Sequence, residues 1–472
     1  MVSVIFSGFP GRRMYYYGLN YTEHRLTFIQ KTWSISRESS MTGYEERTSN
    51  SRRLYKRANR VLPAGVSYGI RALPPYPFYL KKAKGVTVTD VDGNEYTDYW
   101  VGHGALILGH APDVVIDAVM KQLPYGTHYG FSHEHEIELA ERIVKHVPSA
   151  DMVRYTSSGT EANMYGTRLA RAYTGRDKML KIEGGWHGGY DSLHAYVGQP
   201  YGRSESAGLN SKVIEDTYAV PYNDLEAAEK MAKDHELACI VLEPVMGAAG
   251  FLTPEPGYLE GLREICDDTD TLLIFDEVIT GFRLGTGGAQ GYYGVKPDLT
   301  FMGKVIGGGF PVGAFCGPVE IMEMIDHNKY PDPEKRSAHG GTFTGNPISM
   351  VAGSATIDAL ETGRIHRHID SLGEKMREGL QEIFERHDIP VSVTGVGSTF
   401  GIHFQKDKPL NAGDTARNDI PATRAYFRHM LESGIIYLSP TVSHSWISSP
   451  HTEKDIEDYL AATEDYIRAY NP

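Results

Sequence analysis

Two side chains in this sequence could together run amine–carbonyl chemistry, Lys304 and Asp276. Lys304 closes the run DLTFMG and is soon followed by Gly307, Gly308 and Gly309. Burial at a strand end disfavours a lysine's charge, so its amine can attack a carbonyl and form a Schiff base. Glycines there let backbone approach a flat ligand. A solvated surface lysine would also fit this motif taken alone. Asp276 ends the apolar run TLLIF. A carboxylate in that place could keep a ring nitrogen protonated and make the ring an electron sink; it could equally cap a loop. Val278, two residues on, would face the same side and pack on such a ring. The two residues lie 28 apart (304 − 276). That is enough for one strand–helix–strand step, which would put both at the same edge of neighbouring parallel strands.

Two further motifs suit the ends of such a ligand. In YTSSGTEANMYGTRLA a strand pattern runs into Ser158, Gly159 and Thr160, where a helix pattern begins. The first N–H groups of a helix bind phosphate, and Gly159 allows close approach; Ser158 or Thr160 as a plain N-cap is the other reading. In EGGWHGGYDS, Trp186 stands among glycines just after a strand pattern, where an indole could stack on a flat ring. His187 could support that ring or simply be hydrogen-bonded. The HEHE run at His133–Glu136 is read as a polar helix start without a metal, because His133 and His135 point to different helix faces. GKVIGGG lacks the acidic residue that a dinucleotide fingerprint needs downstream.

These residues need a scaffold, and the chain spells one out. MVRYTSS, KMLKIEGG, ACIVLEPV, TLLIFDEV and DLTFMGK are short apolar runs separated by helical patterns. Near-continuous apolar strands with intervening helices predict a mostly parallel sheet covered on both faces. Before it, Tyr44–Arg60 suits a helix, and VTVTDVDGNEYTDYW predicts a hairpin turning at Asp92-Gly93. After Asn346, two long helical patterns lead to VSVTGVGSTFGIHF, a helix near Thr423–Ser433, a strand at IIYL and a last helix. The expected organisation is a disordered extension over 1–40, an N-terminal segment of a small domain over 41–100, a large ligand-binding domain over 101–345 and a C-terminal small domain over 346–472.

The net charge of −13 excludes nucleic acid as a natural partner and argues against an anionic membrane surface. No stretch has the roughly 18 apolar residues of a membrane span, and no basic flank precedes the first residues. Three cysteines, Cys239, Cys266 and Cys316, each beside an apolar run, read as buried thiols of a cytoplasmic protein.

Taken together, Asp276, Lys304, SSGTEA, WHG and GGTFTGNP resemble the class III aminotransferases, from about Tyr44 to the C-terminus. SYGIRALPPYP, DVDGNEYTDYW, GHGALILGH and LSP…SPHTEKDIE are similar to the branch holding glutamate-1-semialdehyde 2,1-aminomutase and β-amino-acid aminotransferases. The resemblance implies a fold-type I α/β enzyme that uses pyridoxal 5′-phosphate, with a large domain on a mostly parallel seven-stranded-type sheet and a small α/β domain from both chain ends. It implies that Lys304 carries the cofactor as a Schiff base and moves protons, that Asp276 holds the ring nitrogen, and that Trp186 stacks on the ring. Ser158, Gly159 and Thr160 would hold the phosphate, and Glu243 would sit near the cofactor's oxygen side. Thr342 would reach the phosphate in the neighbouring subunit, making a homodimer obligatory, and Arg71 would bind a substrate carboxylate. The expected activity is amino transfer between an amino donor and a keto acceptor. The aminomutase reaction is the alternative, and a racemase comes after it. Two departures bear on that order: HGG replaces the aminomutase HGH at His187–Gly189, and SPTVSHSWISSP carries no acid.

Overall fold

The computed structural model describes residues 42–201, 206–437 and 443–470. The 1–40 extension lies outside them. The first helical pattern is two helices, Thr42–Arg47 and Ser49–Ala58, parted at Thr48, whose backbone leaves the helical region.

A small sheet follows, made of β1 (Leu80–Lys84), β2 (Thr87–Asp90) and β3 (Glu95–Asp98), all antiparallel neighbours. The hairpin turn lies where expected: Gly93 has φ +95°, and Asp90 Oδ1 accepts the N–H groups of Asp92 and Asn94 at 2.9 and 2.8 Å. Far along the chain, Ile435–Ile436 pairs in parallel with β3, so both chain ends build this sheet.

The large sheet contains β4 (Met152–Thr156), β5 (Lys178–Ile182), β6 (Thr217–Val220), β7 (Leu237–Leu242), β8 (Leu272–Asp276), β9 (Leu299–Gly303) and β10 (Gly313–Gly317). Its order is β4-β10-β9-β8-β7-β5-β6. Strand β10 runs antiparallel to both its neighbours, and the other pairings are parallel. Every residue of β7, β8, β9 and β10 is buried, as a sheet with both faces covered requires. β6 and β10 were not among the apolar runs picked out above. TYAV is short, and GAFCG is flanked by glycines that weaken a strand pattern.

Because β10 is antiparallel to both β4 and β9, those two run the same way. The C-terminal ends of β4, β5, β7, β8 and β9 therefore share one edge, where an open α/β sheet binds ligands. C-terminal to the sheet come the helices Pro347–Leu360 and Arg364–Arg386, the antiparallel strands Ser392–Thr394, Thr399–His403 and Ser443–Trp446, and the helices Ile420–Glu432 and Glu453–Tyr470. One buried apolar cluster joins this part, through Phe400, Tyr426 and Tyr459, to Phe282 and Val305 beside the large sheet. Among the described residues no helix is long and apolar enough to cross a membrane. The three cysteines are buried and unpaired.

Candidate active site

A cavity of about 530 Å³ opens at that sheet edge. Ser158, Gly159, Thr160, Trp186, His187, Glu243, Asp276, Val278 and Lys304 all line it. The expected neighbourhood of Asp276 and Lys304 is present: β8 and β9 are adjacent and parallel, with Asp276 paired to Phe301, three residues before Lys304.

Lys304 follows β9 directly and takes a left-handed backbone, φ +49°. A lysine there is held by its surroundings against its own preference, at a cost of roughly 1–3 kcal/mol. Its side chain lines the cavity, with β9 before it and left-handed Gly308 and Gly309 after it. Burial lowers the pKa of its amine, opposed by the charges of Asp276 and Glu243 and assisted by Arg283. A neutral amine is the form that attacks a carbonyl.

Asp276 is buried, and its carboxylate is fully engaged on the protein side. Oδ2 accepts from His187 Nδ1 at 2.7 Å and Asn163 Nδ2 at 3.0 Å, and Oδ1 from the Val278 N–H at 3.0 Å. Its only ion-pair partner among the described residues is His187. Burial lowers the His187 pKa, and Asp276 opposes that. The other ring nitrogen, Nε2, is buried without a partner. His187 thus orients Asp276 from behind.

Helix Gly159–Thr174 starts at the cavity wall. Ser158 is its N-cap, accepting from the Glu161 N–H at 3.2 Å, so capping and a place in the cavity coexist. The first N–H groups of a helix have no intrahelical acceptor and point outward. This turn interlocks with the loop that carries Trp186. A Cβ at Gly188 would come 2.1 Å from Thr160 Oγ1, so only glycine fits there.

Trp186 is 39% exposed and lies at the cavity, edge-on to His194 with ring centroids 5.4 Å apart. Glu243 fixes its loop, accepting from the Trp186 N–H at 2.9 Å and the Gly247 N–H at 3.0 Å. Burial, then repulsion by Asp276, pushes the Glu243 carboxyl up to about 7. A second clamp is Lys181, fully buried, whose Nζ donates to the carbonyls of Gly185, Leu193 and Ala195 at 3.0, 2.8 and 2.8 Å. Lys181→Met would strand those carbonyls in a dry interior, at about 1–3 kcal/mol for each left unpaired. A lowered Tm in thermal unfolding is expected; an unchanged Tm would show that water replaces the ammonium.

Two predicted residues stand apart. Arg71 is exposed in the turn Gly69–Arg71, donating to Ser67 Oγ at 3.0 Å, while its neighbours Tyr68 and Ile70 line the cavity. Thr342 lines a separate, polar cavity of about 370 Å³ with Tyr129, Ser132 and Glu136. His133 is the N-cap of helix Glu134–His146, as a polar helix start predicts. No group of three or more potential metal ligands occurs among the described residues.

Sequence reasoning missed Asn163, Tyr68, Trp100, His103, His444 and Trp446, which also line the cavity. Asn163 was within reach: it stands four residues after Gly159, one helical turn on. The others come from loops and a distant strand, with no spacing to mark them.

Residues 69–448 match the family model described as aminotransferase class-III. The glutamate-1-semialdehyde 2,1-aminomutase of Methanothrix thermoacetophila is 43% identical over 423 residues, 89% of this chain and 97% of that protein. An omega-transaminase from Sphaerobacter thermophilus superposes with a TM-score of 0.86 at 34% identity, covering 92% of this chain and all of that one (100%). A variant glutamate-1-semialdehyde aminomutase from Pseudomonas aeruginosa PAO1, in complex with PMP, superposes with a TM-score of 0.85 at 26% identity, covering 94% of this chain and 98% of that one.

Proposed function

The chain belongs to the class III aminotransferases, and on that premise we propose that it is a pyridoxal 5′-phosphate enzyme moving an amino group within one small carboxylate substrate, as a glutamate-1-semialdehyde 2,1-aminomutase does. The observation that carries the cofactor and its chemistry is the pair at the ends of β8 and β9. A buried carboxylate and a lysine with a lowered pKa face one cavity whose rim begins a helix. Each part matches one part of the cofactor: Asp276 a protonated ring nitrogen, the N–H groups at Gly159 and Thr160 a phosphate, Lys304 a carbonyl carbon. Trp186 and Val278 supply flat and branched apolar surface for the two ring faces.

Bound pyridoxal phosphate supplies an electrophilic carbon for amines and a ring that accepts the electron pair left when a C–H proton departs. The protein does the rest. With the cofactor bound, Lys304 would hold it through its amine and, once released, would take the proton from the amine-bearing carbon and return it elsewhere. Asp276 keeps the ring nitrogen protonated, and His187 with Asn163 keeps Asp276 in place. Arg71 attracts the substrate carboxylate with a fork of matching geometry.

Sequence reading put transfer between two substrates first. The aminomutase of Methanothrix thermoacetophila, 43% identical along 97% of its length, supports the reverse order. One feature still favours transfer between two substrates, the higher identity to a solved omega-transaminase than to a solved aminomutase, 34% against 26%. Purified holoenzyme given 4-amino-5-oxopentanoate without any keto acid separates the two. Many turnovers to 5-amino-4-oxopentanoate are expected. A single turnover that resumes only with an added keto acid would overturn the intramolecular reading.

The working unit in this proposal is a homodimer with shared sites. Thr342 does not line its own chain's Lys304 cavity, and large apolar side chains flank its loop in the open, Phe131 at 85% and Phe343 at 59% exposure. A second phosphate-type loop on one chain suits a neighbour's cofactor. Thr342→Ala is expected to weaken cofactor retention. If Thr342→Ala is severely impaired, mixing Lys304→Ala chains with Thr342→Ala chains should regain activity that neither has alone, because one site of each mixed dimer combines the intact halves. Full activity in a sedimenting monomer would refute sharing.

A further inference from the structure

One wall of the cavity is a short turn to which the proposed chemistry gives no task. Val101, Gly102, His103 and Gly104 follow one another with φ of +40°, +63°, +62° and +76°. Two of the four are not glycine, and Val101 is β-branched, so this backbone is held against its preference. The restraints are on view. Asp98 Oδ1 accepts the N–H groups of Trp100 and Val101 at 2.7 and 3.1 Å. The Gly104 N–H returns to the Trp100 carbonyl at 3.0 Å. Buried Arg283 donates to the Gly104 carbonyl at 2.7 Å and to the Ile447 carbonyl at 3.2 Å, tying the turn to the end of the strand that carries His444 and Trp446.

The turn delivers one polar side chain to the cavity. His103 lines it beside Trp100 and Tyr68, with ring centroids at 4.4 and 5.7 Å. Neither ring nitrogen has a hydrogen-bond partner among the described residues. Burial, and after it the basic groups Lys304, His444 and Arg71, push its pKa down to about 4. A neutral imidazole carries one ring N–H, and with basic groups around it and no acceptor bonded to it among the described residues, that N–H suits an anionic oxygen.

We propose that His103 is a substrate-recognition residue: its ring N–H donates to the carboxylate that Arg71 attracts, and so selects amines bearing a carboxylate. This rests on the site reading above. The test uses holoenzyme and two amines that differ only in that group, 5-amino-4-oxopentanoate and 1-aminobutan-2-one, with cofactor absorbance as the readout. Glycine accepts the left-handed turn, so His103→Gly removes the ring without adding strain. Its half-saturation for the carboxylate amine should rise roughly tenfold, the worth of about one hydrogen bond to a charged group. The value for 1-aminobutan-2-one should stay as in wild type, and added imidazole should restore part of the loss. An equal loss on both amines, or none, overturns the proposal. Should His103→Gly fail to keep cofactor, His103→Ala decides by the same comparison, since Ala also lacks a side-chain donor. Wild-type holoenzyme that answers neither amine would instead overturn the site reading itself, and the proposal with it.

Discussion

Lys304→Ala protein is expected to bind pyridoxal phosphate and turn nothing over. In the proposed scheme the substitution removes both the amine that holds the cofactor and the base that moves the substrate proton. General acid–base catalysis alone is worth roughly 10²–10⁴ in rate. With the covalent step lost as well, a fall of about 10⁴ or more is expected, and each decade is about 1.4 kcal/mol of barrier. Cofactor affinity should survive in part, because Asp276 and the start of helix Gly159–Thr174 are untouched. Borohydride reduction and peptide mapping of the wild-type protein check the assignment. The reduced adduct belongs on Lys304, the one lysine lining the cavity among the described residues. Lys181 is an internal control: it is also buried near Trp186, but its ammonium is spent on three carbonyls. An adduct on any other lysine would sink the role.

The cavity's lining residues were legible in the sequence where strands deliver them. Asp276, Glu243 and Lys304 each stand within a residue of the end of a buried apolar strand, and such strands announce themselves by composition. Once the strands are parallel and neighbouring, their C-terminal ends must meet at one edge. Ser158–Thr160 and Trp186 follow strands too, and were found for the same reason. The substrate wall was not legible. Trp100 and His103 reach the cavity through a left-handed turn held by Asp98 and Arg283, and Arg283 comes from a loop almost 180 residues away, its bond to Gly104 spanning |i−j| = 179. Nothing in local periodicity encodes that bond. Arg71 and Thr342 show the opposite limit. Their motifs are clear in the sequence, yet within one chain neither lines the cavity, because one waits for substrate and the other for a partner subunit in the proposed scheme.

Asp276→Asn tests the electron-sink role with the least disturbance to the fold. The two side chains have nearly the same shape, and an Asn oxygen can still accept from the Val278 N–H. What disappears is the negative charge. The consequence for His187 decides whether the variant folds. Burial drives that imidazole toward its neutral form, and Asp276 is the group that works against this. Without the carboxylate His187 is left neutral, so no uncompensated charge stays in the interior, and the usual penalty of roughly 3–5 kcal/mol for breaking a buried pair is avoided. Neutral His187 can present Nδ1 as an acceptor to the new amide, while Asn163 Nδ2 loses the oxygen it donated to, at about 1 kcal/mol. The fold should therefore persist, with Tm close to wild type, while a bound ring nitrogen loses the anion that keeps it protonated. Turnover should drop by roughly 10²–10³, in the range seen when one preorganised electrostatic group is removed. The bound cofactor's absorbance should shift, which a purely structural loss would not produce. Both readouts belong together. Near-normal turnover in a folded, cofactor-loaded Asp276→Asn protein would mean that the carboxylate only positions His187 and the loop at Val278, and the pair at the ends of β8 and β9 would lose its meaning as a catalytic unit.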